Sequence, residues 1–308
     1  RVEDLVELQR LRSLLLVPEV VGRALQPLVA AGLEPVVWKG PAVADRYPGA
    51  GLRLFEDLDV LVPRHEHERA LSALRAAGWM VEHDAAPDRY DRVLRHPDTP
   101  GMPVELHYEF EARHDRLSTL RADELWARRV PGRVAGVDAF VLAPSDELVM
   151  LAAHAAKPFH CFARLMWIAD LAMVLGYAEE AGPSVDWPDV VGRAASAECA
   201  TALSVALAMA GHAGAPVPPG VVSLPRRGWR ATALDRLVDP MWALAPAPPI
   251  HLRFALADSA QRRLALLAGF THGYPALTSV GWYARSVGFV ARRWHALRAP
   301  EAAGARSS

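Results

Sequence analysis

The chain has 308 residues and a mass of 33.5 kDa, which is enough for two ordinary domains or one large domain with a sizeable core. Hydrophobic residues make up 52% of it and charged residues 22%, a composition that excludes an intrinsically disordered chain. The only two cysteines, Cys161 and Cys199, exclude a disulfide scaffold and a thiolate-rich metal site. Without a signal-peptide pattern or an apolar run of membrane-spanning length, we expect a cytoplasmic protein that does not associate with membranes.

Charge is distributed unevenly along the chain. Residues 1–225 carry 22 basic and 31 acidic side chains, whereas residues 226–308 carry 12 basic and 4 acidic ones. Such a division indicates either a basic surface for an anionic ligand or two parts of the fold that attract each other. Nearly every basic residue is Arg, and the two lysines are Lys39 and Lys157. Because an ammonium group is a compact donor unlike the guanidinium fork, these two positions are candidates for a specific ligand contact.

The N-terminal half alternates short helices and strands. Apolar residues at helical spacing predict one or two helices over residues 3–31, with Pro18 as a break or a restart and Gly32 as the C-cap. The pattern then predicts a strand at 35–38, a short helix at 42–47, a strand at 57–62 and a helix at 65–77. Residues 80–82, 90–95 and 104–110 are predicted to form an antiparallel meander.

From about residue 140 the pattern becomes helical. Ser145, followed by two acids, predicts a capped helix that extends to about Lys157. A second helix is predicted over residues 162–175. The sequence Asp186-Trp187-Pro188-Asp189 predicts the capped start of a third helix, which continues through Met209.

The strongest chemical signal is the pair of acids Asp57 and Asp59 in the predicted strand 57–62. Acids separated by one residue on a strand project from the same face, about 7 Å apart at the backbone. They can therefore converge on a hard divalent cation. Acids on an otherwise apolar strand are costly unless their charge is compensated, and the alternative is an edge strand with a solvated face.

A second predicted strand, at 104–110, carries a further acid. Alternation places Glu105, His107 and Glu109 on one face of it. If this strand lies beside the first, Glu105 joins Asp57 and Asp59, and three carboxylates are what a two-metal phosphoryl-transfer site requires. His107 could orient a metal ligand, contact the substrate or be an ordinary packing histidine, and Glu109 is expected at the surface.

These motifs occur in the order found in a known family. Residues 36–63, with the sequence VVWKGPAVADRYPGAGLRLFEDLDVLVP, are followed by a helix, Gly78 and the sequence PVELHYEF. This order resembles the nucleotidyltransferases of DNA polymerase β-like fold, and within them the group of uncharacterised nucleotidyltransferases. That group also has a Trp-x-x-Asp pattern in a helical region, which here runs from Trp167 to Asp170.

The resemblance covers about residues 15–210 and implies an α+β fold. A catalytic domain at residues 1–140, with an N-terminal helix, would contain a small mixed sheet flanked by helices. A mostly helical domain at residues 141–308 would form the opposite wall of the cleft. Asp170 would pair with Lys157 or Arg164 to pin two helices together, or the wall would contribute to binding of a base or an acceptor.

The resemblance also implies transfer of a nucleotidyl group from a nucleoside triphosphate to an acceptor hydroxyl, with Mg²⁺ as the cofactor. Asp57, Asp59 and Glu105 would bind the metal ions, and Glu105 would also favour deprotonation of the acceptor. Little covalent work is then required of the protein, since positioning and charge neutralisation supply most of the rate.

Donor phosphate would be held by Lys39 and Gly40 at the start of a short helix, with Arg53 and Lys157 as further candidates. Arg53 could equally be a solvated loop residue. The superfamily usually has a Gly-Ser pair at a helix start nearer to the first acid, whereas here Lys39-Gly40-Pro41 stands farther before Asp57 and contains no Ser. Lys39 could replace the missing hydroxyl, or the donor could differ from an ordinary nucleoside triphosphate.

Two other functions agree with the same residues. One is a transferase on this scaffold that uses a nucleotide sugar or another phosphate donor to tailor a peptide or a small natural product. The other is a non-catalytic nucleotide-binding module, which would need only some of the carboxylates. In either transferase the partners are a nucleotide donor and a small-molecule or peptide acceptor, and we do not expect a nucleic acid.

Overall fold

Seven short strands form one mixed sheet in the computed structural model, which describes residues 7–8, 10–82, 90–110, 117–157, 160–180, 182, 184–239, 250–264 and 266. The strands are β1 (Val36–Val37), β2 (Leu58–Leu61), β3 (Met80–Val81), β4 (Asp91–Arg95), β5 (Val104–His107), β6 (Val130–Val134) and β7 (Val137–Val141). Their order across the sheet is β3-β4-β5-β2-β1-β7-β6. β2 is parallel to β5 and β1 is parallel to β7, whereas the other neighbours are antiparallel.

The strand that carries the paired acids lies in the middle of this sheet. β2 has β5 on one side and β1 on the other, so the alternative of an edge strand with a solvated face is wrong. The regular strand covers Leu58–Leu61, and Asp57 lies immediately before it. The predicted antiparallel meander is confirmed by the pairing of β3 with β4 and of β4 with β5.

The hairpin of β6 and β7 was missed by the sequence analysis. Its turn consists of Ala135 and Gly136, both with positive φ (49° and 81°), which is the geometry that two-residue hairpin turns require. The signal was a glycine between two short β-branched segments, but Pro131 and Gly132 within the first segment weaken its strand pattern. β7 pairs with β1 and thereby extends the sheet.

Helices cover both faces of the sheet. They are α1 (Val17–Ala30), α2 (Gly40–Ala44), α3 (His67–Ala76), α4 (Ala122–Ala127), α5 (Pro144–Ala156), α6 (Leu165–Glu180), α7 (Trp187–Ser196), α8 (Ala200–His212), α9 (Gly228–Val238) and α10 (Ile250–Leu256). A π-helical turn, Arg12–Leu16, leads into α1, and a 3₁₀ turn, Arg64–Glu66, leads into α3. Most of the basic segment 226–308 lies outside the described residues.

The predicted starts of the C-terminal helices have mixed outcomes. Asp186 caps α7 as predicted, because its Oδ1 accepts a hydrogen bond from the amide of Asp189 at 3.0 Å. Ser145 does not cap α5. Pro144 occupies the first turn, where its fixed φ suits a helix start, and the Ser145 hydroxyl bonds instead to Asp189.

Positive backbone φ angles shift two other predicted helix boundaries. Cys161 and Phe162 have φ of 40° and 58°, which is incompatible with a right-handed helix, and α6 therefore begins at Leu165 rather than at residue 162. The predicted helix from residue 186 to Met209 is two helices, α7 and α8, because Glu198 between them has a φ of 51°.

The sheet separates two groups of buried side chains. Leu58 and Val60 of β2 pack with α1 and α3 on one face, whereas Leu61 packs with Trp38 and Phe110 and with the helices that follow residue 140. Side chains alternate along the strand, so Asp59 lies on the same face as Leu61. This face is directed toward the helices that follow residue 140, here called the helical region. The core on this face is continuous from the sheet to α9 and α10.

One helix contradicts the expectation that no apolar segment reaches membrane-spanning length. Among the described residues, Arg12–Ala30 forms a helix of 19 residues that is long and apolar enough by composition alone. Pro18 does not end it, because it lies in the first turn of α1, where a proline is tolerated. Val20, Val21 and Leu28 of this helix pack in the core of the fold. Core helices of soluble proteins and signal sequences can be as long and as apolar, so one such helix is weak evidence for a membrane span.

Candidate active site

The acids of the two predicted strands meet at the centre of the sheet. β2 and β5 are neighbours, and their register pairs Asp59 with Glu105 and Leu61 with His107. The assumption that the strand of Glu105 lies beside the strand of Asp59 is therefore confirmed. Asp59 is 3% exposed and His107 is also 3% exposed, so both side chains are removed from bulk water.

Three side chains converge closely enough to hold a metal ion. One ligand atom each from Asp59, Glu105 and His107 lies within 4.8 Å of the other two. His107 Nε2 is 2.9 Å from Asp59 Oδ1 and 3.3 Å from Glu105 Oε2. The two carboxylates provide oxygen ligands of the kind that Mg²⁺ binds together with substrate phosphates. The residues present therefore fit a divalent cation.

His107 belongs to this group, whereas Asp57 does not. Its ring packs edge-on against Trp38 at 5.3 Å between centroids, and its Nδ1 has no hydrogen-bond partner in the described part of the chain. Burial lowers the pKa of His107, but hydrogen bonds to Asp59 and Glu105 outweigh burial and raise it. Among the roles left open by the sequence, the contact with both carboxylates favours orientation of metal ligands over packing alone.

Asp57 lies immediately before β2, outside the close group of Asp59, Glu105 and His107. Burial, followed by the nearby charges of Asp59 and Glu105, raises the pKa of Asp57 to about 6. Its carboxyl group is thus electrostatically coupled to both acids even though it is not part of the close cluster. A group that titrates near neutral pH is suited to exchange a proton with a substrate.

Lys39 neutralises the buried acid. The amide of Trp38 donates to the carbonyl of Asp59 at 3.3 Å, so the next residue emerges beside the Asp59 side chain. Lys39 Nζ lies 2.7 Å from Asp59 Oδ1 and 5.0 Å from the centre of the Trp38 ring. Burial would raise the pKa of Asp59, but Lys39 and His107 hold it well below its usual range. The ammonium group therefore contacts one of the carboxylates of the candidate metal-binding group.

The backbone around Lys39 is tightly constrained. Lys39 has a φ of 58° and Gly40 a φ of 36°, and both values lie in the region that glycine tolerates best. A Cβ at Gly40 would lie 3.4 Å from the carbonyl oxygen of Asp57. The turn that carries the lysine thus packs directly on the residue that begins β2.

Arg53 is buried, which excludes the alternative of a solvated loop residue. It is 7% exposed. Its Nε and Nη2 donate to the two carboxylate oxygens of Asp170 at 3.0 and 2.7 Å, and its Nη1 donates to the carbonyl of Leu54 at 2.9 Å. Arg53 is therefore committed to the helical region, and the role of a phosphate ligand remains a prediction.

Asp170 pairs with neither of the two partners that the sequence analysis named, Lys157 and Arg164. It accepts hydrogen bonds from Arg53 and, at 2.7 Å, from the hydroxyl of Tyr47. Lys157 Nζ donates instead to the carbonyl of Phe110 at 2.9 Å. The long-range pairing of residues 53 and 170 leaves no signal in a single sequence.

Both lysines lie near a histidine pair at the end of α5. Burial is the largest cause that lowers the pKa values of His154 and His160, and the charges of Lys39 and Lys157 lower both values further. The pKa of His160 falls to about 4. The two rings are 4.6 Å apart, and the ring of His160 stacks on Trp167 at 4.3 Å. The helical region therefore presents positive charge and neutral aromatic rings near the carboxylates.

Two solved structures of other proteins are similar to parts of this chain. A solution structure of the antibiotic-resistance factor ANT(2'')-Ia is 13% identical and covers 51% of this chain and 82% of that chain, with a TM-score of 0.35. A crystal structure of an antigenic nucleotidyltransferase-like protein from Paracoccidioides brasiliensis is 15% identical and covers 60% and 90%, with a TM-score of 0.36. At these identities and TM-scores, the two structures give no information about the substrates of this protein. No curated protein matches the sequence.

The sequence itself matches a family model over most of its length. The matched segment, residues 7–213, includes Lys39, both strand acids, the Glu105-x-His107 strand and Asp170. The chain belongs to the family of uncharacterised nucleotidyltransferases.

Proposed function

We propose that the protein is a divalent-metal-dependent transferase that moves a nucleotidyl group from a nucleoside triphosphate to an acceptor hydroxyl. The observation that carries this proposal is the register of β2 and β5, which sets Asp59 directly opposite Glu105 beside His107. Asp59 is buried and Glu105 is partly buried, and two carboxylates so close together at the centre of a sheet are costly unless positive charge compensates both. Family membership supports the same class of reaction.

In this proposal Asp59 and Glu105 hold the cation, His107 orients their carboxylates, and Asp57 contributes from the edge of the group. Mg²⁺ is the ion proposed, and when bound it would neutralise phosphate charge and favour ionisation of a hydroxyl. Asp57 has a pKa of about 6 and can accept a proton at neutral pH. Glu105 lies on the same face and could share that role.

Lys39 and Lys157 are proposed to hold the donor phosphates. The charges of Lys39 and Lys157 both lower the pKa values of His154 and His160, and Lys39 contacts Asp59, which supports a shared role for the two lysines. Lys39 would exchange its contact with Asp59 for a phosphate oxygen when a cation takes over the carboxylate. The neutral rings of His160 and Trp167 offer a flat surface for a base or an aromatic acceptor.

A second candidate is supported by the sequence Lys39-Gly40-Pro41, which stands in place of the Gly-Ser pair usual in the superfamily. This change concerns the donor site alone. It is compatible with a nucleotide sugar or another phosphate donor, used to tailor a peptide or a small natural product. In both candidates the acceptor is a small molecule or a peptide.

Calorimetric titration of each nucleoside triphosphate and a set of nucleotide sugars, with and without Mg²⁺, tests the proposal. Wild type is compared with Asp59→Asn and with Glu56→Gln, which removes an exposed acid one residue before Asp57. Metal-dependent triphosphate binding that only Asp59→Asn abolishes would support nucleotidyl transfer. Preferential binding of a nucleotide sugar would support the second candidate, and binding without turnover of any acceptor would indicate a non-catalytic module.

The salt dependence of acceptor binding tests the class of acceptor. A nucleic acid that bound the basic segment would release the cations condensed on its phosphates, so its binding would have a steep salt dependence. A small molecule or a peptide of low charge would show a shallow one, which is the expected result.

A further inference from the structure

The segment between α2 and β2 has no regular secondary structure of its own. After α2, residues 45–57 form turns and bends before β2 begins. Few backbone hydrogen bonds hold them, among them those from Arg46 to Val43 and from Leu52 to Gly49. The position of this connecting segment, residues 45–57, therefore depends strongly on side-chain contacts.

The main contact leads to a single buried carboxylate in the helical region. Asp170, on α6, is 1% exposed and accepts three hydrogen bonds from the connecting segment. Two come from the guanidinium of Arg53, at 3.0 and 2.7 Å, and one comes from the hydroxyl of Tyr47, at 2.7 Å. A bidentate arginine–carboxylate pair of this kind fixes orientation as well as distance.

A second contact from the same segment reaches the same helical region. Arg46 Nη2 lies 3.6 Å from Glu147 on α5, and its guanidinium lies 4.7 Å from the centre of the Tyr177 ring on α6. The connecting segment is thus joined to α5 and α6 by three side chains, although it is adjacent in sequence to neither helix.

Packing continues from this pair to the carboxylate group. The guanidinium of Arg53 lies 5.8 Å from the centre of the Phe55 ring. A Cβ at Gly40 would contact Phe55 at 3.8 Å and the carbonyl of Asp57 at 3.4 Å. A contiguous series of contacts thus joins Asp170 to the turn that places Lys39 on Asp59.

We propose that Asp170 is a positioning residue, which holds the connecting segment through Arg53 and Tyr47 so that Lys39 and Asp59 stay in contact. Without it the segment would lose its fixed attachment to the helices, and Lys39 would sample other positions. The consequence for metal and nucleotide binding rests on the proposed function, whereas the effect on the Lys39–Asp59 contact does not.

The presence of only two lysines allows a direct test without metal or nucleotide. Protein labelled with ¹³C at the lysine ε-carbon should give two side-chain NMR signals, and Lys39→Arg assigns them. We expect the Lys39 signal to shift or broaden in Asp170→Asn, because its ion pair with Asp59 is no longer held in one geometry. Tyr47→Phe, which removes one of the three hydrogen bonds, should move the signal in the same direction by less.

Asp146→Asn is the matched control. Asp146 is 0% exposed and accepts from Arg128 Nε at 2.7 Å and Arg193 Nε at 2.8 Å, but it does not contact the connecting segment in the described structure. The variant Asp146→Asn should lower the melting temperature, as Asp170→Asn does, but it should leave the Lys39 signal unchanged. An unchanged Lys39 signal in folded Asp170→Asn, or an equal change in Asp146→Asn, would overturn the proposal. If Asp170→Asn does not fold, the Lys39 signal of Tyr47→Phe decides in the same way.

Mn²⁺ titration then separates this inference from the proposed function. A drop of about tenfold or more in Mn²⁺ affinity for Asp170→Asn, with none for Asp146→Asn, would extend the positioning role to the metal site. Wild-type protein that binds no Mn²⁺ would count against the proposed function, and the lysine signal would still decide the positioning role.

Discussion

Asp59 on β2 and Glu105 on β5 lie directly opposite each other in a parallel strand pair at the centre of the sheet. Neighbouring strands lie close together, so side chains at paired positions on one face are within reach of a single ion. Asp59 is nearly fully buried and Lys39 compensates its charge. This relationship makes the charge balance of the site directly testable.

Removal of either paired carboxylate is expected to weaken divalent-metal binding. Asp59→Asn and Glu105→Gln should each lower Mn²⁺ affinity by about tenfold or more, because each removes one of two oxygen ligands. Calorimetry at constant pH measures the change. Glu56→Gln removes the same charge from an exposed position nearby and should leave the affinity unchanged. Equal losses in all three variants would show a general electrostatic effect instead of ligation.

Lys39→Gln is expected to separate metal binding from nucleotide binding. Lys39 Nζ contacts Asp59, which is proposed to hold the cation, so removal of this positive charge should strengthen the binding of Mn²⁺ alone. Binding of a nucleoside triphosphate should become weaker, since a phosphate contact is lost. Without metal, the free energy of unfolding should fall by about 3 kcal/mol, the lower end for a broken buried ion pair.

Lys157→Gln serves as the comparison for Lys39→Gln. Lys157 donates to the carbonyl of Phe110 rather than to a carboxylate of the site. It should weaken triphosphate binding without strengthening the binding of metal alone. If Lys39→Gln also leaves metal affinity unchanged, the ammonium group does not compete with the cation.

Glu147 is expected to make the protein less stable as pH rises. Burial raises the pKa of Glu147 to about 7 from its ordinary value of 4.5, although Arg46 opposes the shift. The folded state therefore binds a proton that the unfolded state has released between these two values, and stability falls as pH rises through this window. Glu147→Gln should remove this dependence, so its stability relative to that of wild type should rise by on the order of 2 kcal/mol between pH 5 and pH 8.

Urea unfolding of wild type and Glu147→Gln at pH 5, 6, 7 and 8 measures this difference. Glu124→Gln, which removes a half-exposed acid paired with Arg193, controls for the change in net charge and should keep the slope of wild type. A Glu147→Gln protein with the same slope as wild type would show that Glu147 is ionised throughout the range.

Gly40→Ala is expected to affect ligand binding more than an equally strained substitution elsewhere. Gly40 and Gly136 both have positive φ, so alanine at either position should cost about 1 kcal/mol of stability. Only Gly40 packs against Asp57 and Phe55, and a Cβ at Gly136 would meet nothing within 4 Å. Triphosphate affinity should fall in Gly40→Ala and stay constant in Gly136→Ala. Equal affinity in both would show that the Lys39 turn tolerates the displacement.

Local patterns in the sequence predicted most of the elements that build the site. Alternation identified the strands that became β2 and β5 and placed the acids and His107 on one face of each. The cap at Asp186 was also predictable, because a side chain that bonds an amide three residues later is a local interaction. The β6–β7 hairpin was not predictable, because Pro131 and Gly132 interrupt the alternating pattern of β6. The hairpin forms nonetheless, and β7 pairs with β1 in the sheet.

The sequence by itself determined the residue types and the face of each strand, because the two-residue period of a strand needs only the local backbone. Tertiary structure decided which of those residues meet. It brought His107 rather than Asp57 into the close group, set Lys39 on Asp59, and joined Arg53 to Asp170, 117 residues away. Contacts across such separations depend on how the sheet and helices pack together, and that packing is not encoded in any single stretch of the chain.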